Sequence, residues 1–140
     1  MQRYRERGFT LVELITVIIL VSIISITLFS RLGNVSTANL QAGRDDLIAA
    51  LFFAQQTAMA RSDNNIRAVI TANFVSVTEA NIPLVVHSDG YPLRFPSGVT
   101  ATPVTLTYDK LGRTTATAIT LTATGGLSAI VRVEATGYAH

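Results

Sequence analysis

Gly8-Phe9-Thr10-Leu11-Val12-Glu13, continued by an apolar run that reaches Phe29, is the stretch around which the rest of the chain is organised. From residue 9 to residue 29 the one charged side chain is Glu13. A helix of that length rises about 31 Å, which matches the hydrocarbon core of a bilayer. Ahead of it residues 1–8 form a short leader in which Arg3, Arg5 and Arg7 outweigh Glu6. A secretory signal does not fit, because its apolar core is about 7–15 residues long and ends at a small-x-small cleavage site. Ser30-Arg31-Leu32-Gly33 offers no such site. An ordinary membrane anchor does not fit either. A carboxylate in an apolar helix costs about 2.5–3.5 kcal/mol at the bilayer centre and somewhat less near its edge. An acid in that position needs a partner.

These residues resemble the prepilin motif of the type IV pilin and pseudopilin family, and Arg7-Gly8-Phe9-Thr10-Leu11-Val12-Glu13 fits it without a departure. The resemblance implies cleavage by a prepilin peptidase between Gly8 and Phe9, followed by N-methylation of Phe9. It also implies that Glu13 pairs with the new α-amino group of a neighbouring subunit during assembly. The partners it brings are other pilin or pseudopilin subunits, the peptidase/methyltransferase, inner-membrane lipid and an inner-membrane assembly platform. The implied location is the bacterial inner membrane, crossed once with the N-terminus cytoplasmic and the body periplasmic, and then a fibre.

The 140 residues carry a formal net charge of +2, with a pI near 9.4, which raises the question of nucleic acid. The leader accounts for the whole excess, and beyond it acidic and basic side chains are equal in number. The leader's charge has a different use, holding the N-terminus on the cytoplasmic side. Phosphate neutralisation needs clustered Lys and Arg. Arg94, Lys110, Arg113 and Arg132 are scattered, and Thr136-Gly137-Tyr138-Ala139-His140 has no Lys or Arg. A nucleic-acid partner is therefore not expected, although some relatives take part in DNA uptake and a DNA-binding minor pilin is the alternative reading. The absence of cysteine excludes thiol chemistry and cysteine-ligated metal.

After Arg31 the apolar residues Leu40, Leu47, Ile48, Leu51, Phe52, Ala58 and Met59 recur at helical spacing. The helix is expected to continue past the membrane and lay this stripe on a folded body. Gly33, Asn34 and Gly43 weaken it, so a bend or loosening is expected over residues 30–43 without a break. Ser62-Asp63-Asn64-Asn65 reads as its stop. Beyond it the chain reads as strands. Residues 66–71 and 74–79 form one hairpin, residues 82–87 and 91–95 a second around Ser88-Asp89-Gly90, and residues 99–108 and 113–123 a third. Thr124-Gly125-Gly126 then turns into a strand over residues 128–135. Pro83 and Pro92 push their strands toward a sheet edge or an irregular pairing.

The fold class is thus α+β and pilin-like, one long N-terminal helix packed on antiparallel sheets. It divides into a leader (1–8), a transmembrane half-helix (9–29), an amphipathic half-helix (30–62) and a strand-rich body (63–140). Ala60-Arg61-Ser62, Leu106-Thr107-Tyr108-Asp109-Lys110-Leu111-Gly112-Arg113 and Ile130-Val131-Arg132-Val133-Glu134-Ala135-Thr136-Gly137-Tyr138 resemble the H-type minor pseudopilins. That group includes minor pilins of mannose-sensitive haemagglutinin pili, and its members place two antiparallel sheets beside the helix.

Catalytic readings fail on geometry. His87, Ser88 and Asp89 are consecutive, whereas triad members meet from separate loops. Asp45 and Asp46 point about 100° apart on a helix. His87 and His140 are too few for a histidine metal site, and Gly125-Gly126 lacks the Lys of a phosphate loop. No catalytic residue, metal or cofactor is expected. The function implied is a structural one, a minor pilin-like subunit of a type IV pilus or a type II secretion pseudopilus.

Overall fold

Thr10 opens an unbroken helix, α1 (Leu11–Ala60), in a computed structural model that describes residues 10–61, 65–85 and 90–140. Side chains of residues 27–34 fall outside that description, as do Ser62, Asp63, His87, Ser88 and Asp89. The chain divides into two compact units, Met1–Val35 and Ser36–His140, and each is treated by itself. Among the described residues no helix is long and apolar enough to cross a membrane. The apolar side chains described at the start of α1 end at Ile26.

In the second unit α1 buries Leu40, Gly43, Leu47, Ala50, Leu51, Ala54, Thr57 and Ala58. Steps of three and four residues keep them on one face. The expected stripe is right at its centre and wrong at its flank. Phe52 and Met59 are 56% and 51% exposed, because each lies about 100° round the helix from its buried neighbours Leu51 and Ala58. Phe53 takes the inward place instead and stacks on Tyr91, ring centroids 5.7 Å apart. Gly43 does more than weaken the helix. A Cβ there would stand 3.2 Å from Val99 Cγ1 and 3.4 Å from Pro96 Cδ, so its bareness lets α1 lie close to the body. The helix remains continuous through residues 30–43.

Two antiparallel sheets complete the body. The strands are β1 (Ile66–Ile70), β2 (Phe74–Glu79), β3 (Ile82–Pro83), β4 (Leu93–Arg94), β5 (Val99–Ala101), β6 (Val104–Tyr108), β7 (Thr117–Ala123) and β8 (Ser128–Val133). One sheet runs β3-β2-β1-β6 with β4 also on β2, and the other runs β5-β7-β8. In β1 every second residue is buried (Ile66, Ala68, Ile70), and Val75, Val77, Leu106 and Tyr108 line the same core. Period-two burial of this kind fixes register, since a one-residue slip would turn each of these side chains outward.

The first hairpin, β1 with β2, forms as the sequence indicates. The described parts of the second do not pair as a ladder, and its Ser88-Asp89 turn lies outside the described residues. β3 and β4 both pair with β2, at Thr78–Glu79 and at Phe74–Val75, so six-residue β2 serves two short partners. Among the described residues a single backbone bond, Tyr91 N–H to the Leu84 carbonyl (3.3 Å), links the two arms. Pro83 sits in an edge strand as expected. The third hairpin is also replaced. The segment 99–108 breaks at Pro103, which has no N–H to carry a ladder onward. β5 therefore joins β7, and β6 joins β1 in the other sheet. Its turn survives: Gly112 N–H donates to the Asp109 carbonyl (2.9 Å) and Asp109 N–H to the Arg113 carbonyl (2.9 Å). The turn after β7 leads into β8 as expected.

Candidate assembly site at the start of the helix

Thr10 is the last non-helical residue and Glu13 lies three residues on, in the first turn. A helix leaves its first four N–H groups without internal partners. Here the Glu13 backbone N–H donates to Thr10 Oγ1 (3.3 Å), while Glu13 Oε2 accepts from the Thr10 N–H (3.2 Å) and from the Thr10 hydroxyl (3.1 Å). This is a capping box, reciprocal between the cap and the third helical residue. The same carboxylate meets the positive end of the helix dipole. Thr10 was not singled out from the sequence, although Thr-x-x-Glu ahead of an apolar run is the signature that marks it. Of the other predicted site residues, Gly8 and Phe9 lie outside the described residues.

Behind the cap the helix is apolar on every side. Leu11, Val12, Leu14, Ile18 and Ile26 are all exposed, and so are the large apolar residues between them. The polar side chains in this stretch turn back on their own helix. Thr16 Oγ1 donates to the Val12 carbonyl, Ser22 Oγ to that of Ile18 (2.8 Å) and Ser25 Oγ to that of Val21 (2.7 Å). A helix that is hydrophobic all round suits lipid or the interior of a bundle. Its hydroxyls satisfied in this way present carbon rather than an unpaired donor.

Elsewhere the charged side chains are mostly tied to neighbours. Asp45 accepts from Gln41 Nε2 (2.9 Å) and stands 3.8 Å from Arg44. Burial, and then the charge of Asp45, push the Asp46 carboxyl up from its ordinary value. Arg61 pairs with Glu79, joining the helix exit to β2. Arg67 Nη1 donates to Asn81 Oδ1 (3.1 Å). Asp109 accepts from the backbone N–H of Arg113 (2.8 Å), from Arg113 Nε (2.8 Å) and from Leu111 N–H (2.9 Å). These bonds, led by the Arg113 backbone N–H, hold its carboxyl below its ordinary value. Among the described residues no group of three His, Cys, Asp or Glu is placed to hold a metal. Arg94 and Arg67 belong to the larger sheet and Arg132 to the smaller one.

Gln55 was missed from the sequence, and no local pattern marks it. From α1 its Nε2 donates to the Thr136 carbonyl (2.9 Å) and the Gly112 carbonyl (3.3 Å). It ties the helix to the two segments that resemble H-type pseudopilins. Gly137 completes the junction with φ of 86°, and a Cβ there would overlap the Gly112 carbonyl oxygen.

Residues 3–29 match the family described as the prokaryotic N-terminal methylation motif. The fold is similar to that of the type IV minor pilin FimU of Pseudomonas aeruginosa, at a TM-score of 0.54 and 15% identity. That alignment covers 74% of this chain and 88% of the FimU chain. The family match covers the N-terminal motif, and the likeness to FimU is one of fold. No curated protein matches the chain.

Proposed function

We propose that the chain is a minor pilin-like structural subunit of a type IV pilus or a type II secretion pseudopilus, and not an enzyme. The observation that carries this reading is Glu13, held in the first turn of an apolar helix that begins just after Gly8-Phe9, inside a stretch matching the methylation motif. In this reading residues 1–8 are a leader, residues 9–29 sit in the inner membrane, and residues 30–62 and 63–140 form the periplasmic amphipathic helix and body. The peptidase hydrolyses the Gly8–Phe9 amide, and glycine's missing Cβ leaves that carbonyl accessible. The α-amine released on Phe9 remains protonated after methylation at neutral pH.

Assembly then sets that cation of one subunit against Glu13 of its neighbour. Before assembly the carboxylate has hydrogen bonds from Thr10 but no cation beside it among the described residues. Bringing in the neighbour's amine supplies the counter-charge that a low-dielectric bundle demands. The apolar surface around it gives packing without direction, so the charge pair sets the register. The assembly platform, through which the subunit leaves the membrane, belongs to the same proposal. The DNA-binding alternative gains nothing from Arg44, Arg61 and Arg113, each of which has a carboxylate beside it.

The test is processing. Gly8→Val is expected to leave a membrane-bound precursor roughly 1 kDa heavier than the mature chain, the mass of an eight-residue leader. Normal cleavage of that variant by intact-mass analysis refutes the prepilin reading. A deletion strain scored together for surface pili, exoprotein release and DNA uptake tells which fibre the subunit serves.

A further inference from the structure

The outer edge of β8 is where the body could join another sheet, and the chain covers part of that edge with its own residues 138–140. Arg132 N–H donates to the His140 carbonyl (2.8 Å) and His140 N–H to the Arg132 carbonyl (2.9 Å). Glu134 N–H donates to the Tyr138 carbonyl (2.8 Å) and Gly137 N–H to the Glu134 carbonyl (2.8 Å). Val133 and Ala139 form the bridge between the two segments. Since both backbone groups of Arg132 face away from β7, the alternation of an antiparallel ladder turns those of Ile130 and Ser128 the same way. No described residue bonds to that half of the edge, and the Ile130 side chain on it is 50% exposed.

The covered half has the more adhesive sequence. Arg132 and Glu134 are both exposed, have no ion pair among the described residues, and flank Val133 two residues apart. If two copies of β8 were paired antiparallel about Val133, each Arg132 would lie opposite the other copy's Glu134. Opposite charges directly across a ladder stabilise the pair, and like charges directly across destabilise it. An uncovered edge in this register is therefore self-complementary, and unpaired edges of this kind template association. The Val133–Ala139 bridge occupies the centre of that register.

We propose that residues 138–140 are an edge guard that keeps β8 from pairing with β8 of a second copy of this chain. The inference concerns the body alone and stands whether or not the subunit enters a fibre. Removing these three residues leaves Gly137 and the Gln55 bonds to Thr136 and Gly112 in place. The full chain in detergent micelles is compared with a chain ending at Gly137, by light scattering after size exclusion across a range of concentrations. The shortened chain is expected to show dimer beyond whatever the intact chain shows. In that background Arg132→Glu is expected to weaken the dimer by about tenfold, and adding Glu134→Arg to restore it. His140→Pro in the intact chain, which removes the N–H that Arg132's carbonyl accepts, serves as the second opening of the edge and carries the same charge tests. The proposal is overturned if neither opened chain dimerises more than the intact one. It is equally overturned if the added dimer ignores the charge reversal.

Discussion

The two halves of α1 handle burial in opposite ways. Over residues 11–26 the helix has no sidedness: apolar side chains are exposed all round, and Thr16, Ser22 and Ser25 spend their hydroxyls on their own backbone. Over residues 36–60 one stripe from Leu40 to Ala58 is buried and the opposite face is open. A helix with a stripe carries instructions for one partner surface, here the sheets of its own body. A helix without one carries no instruction beyond exclusion from water, so direction must come from the single charged group, Glu13. Packing in the first region should therefore govern assembly, and packing in the second should govern stability.

The largest effect is expected where that division is sharpest. Glu13→Val should leave insertion and cleavage intact, because removing a charge suits lipid. It should also leave the body's unfolding midpoint unchanged. Incorporation into sheared fibres should fall nearly to nothing, since an amine entering the bundle without its counter-charge costs roughly 3–5 kcal/mol. Processed variant appearing in fibres at the wild-type level would leave Glu13 as an incidental charge and remove the contrast drawn above. Thr10→Ala provides a graded comparison, because a lost cap is worth about 1 kcal/mol and the carboxylate remains.

The mirror-image pair is Leu51→Ala and Ile18→Ala, the loss of a large apolar side chain in each region. Leu51 is fully buried, so its truncation should cost about 2–5 kcal/mol in the transfer and cavity terms. Ile18 is 57% exposed, and its truncation should move the body's midpoint by less than about 0.5 kcal/mol. Denaturant titration of the full chain in detergent, followed by circular dichroism in the strand region, reads both. Equal effects would mean that the two halves are not energetically separate.

Gly137→Ala comes next and tests whether the body is held by more than its stripe. Its φ of 86° is in the left-handed region, and the added methyl would collide with the Gly112 carbonyl that Gln55 also binds. Strain and displacement together should cost roughly 2–3 kcal/mol. Gly126→Ala, at φ of 79° with nothing within 4 Å, isolates the conformational part and should cost less. If the two cost the same, the junction at Gln55 contributes nothing.

Legibility followed the range of the forces involved. The buried stripe and the first hairpin depend on residues within a few positions of each other, and Leu47, Leu51 and Ala72-Asn73 displayed them. Partner choice among strands does not. Nothing local says that residues 99–108 break between two sheets, although Pro103 marks where a ladder must stop. Nor does any local pattern send both β3 and β4 to β2, or give Gln55 two carbonyls from segments 57 and 81 residues away. The candidate site shows the same limit in reverse: Glu13 stood out as an isolated charge, while Thr10, one turn away, was hidden by being an ordinary threonine.

The smallest effect bears on how each region treats its hydroxyls. Every described hydroxyl in the first half of α1 has a partner, and in the second half Thr57 Oγ1 donates to the Phe53 carbonyl (2.8 Å). Tyr108 is the contrast: fully buried on β6, its hydroxyl has no partner among the described residues. Burial pushes its phenol from the ordinary 10.0 up to about 12. Tyr108→Phe removes an unsatisfied polar group at constant shape, so at pH 7 it should be neutral or stabilise by up to about 1 kcal/mol. The sign at high pH follows from linkage. The folded state favours the protonated phenol, so its contribution is whole below pH 10 and is lost as pH rises from there towards 12. Wild type should therefore lose stability over that window faster than Tyr108→Phe, and the gap between them should widen in favour of phenylalanine. Titrating both with denaturant at pH 7, 10 and 11 decides it. A Phe variant clearly weaker at pH 7 would mean that the hydroxyl is bonded in the folded protein, and the contrast with the helix start would then rest on Ser76, whose buried Oγ has no partner among the described residues.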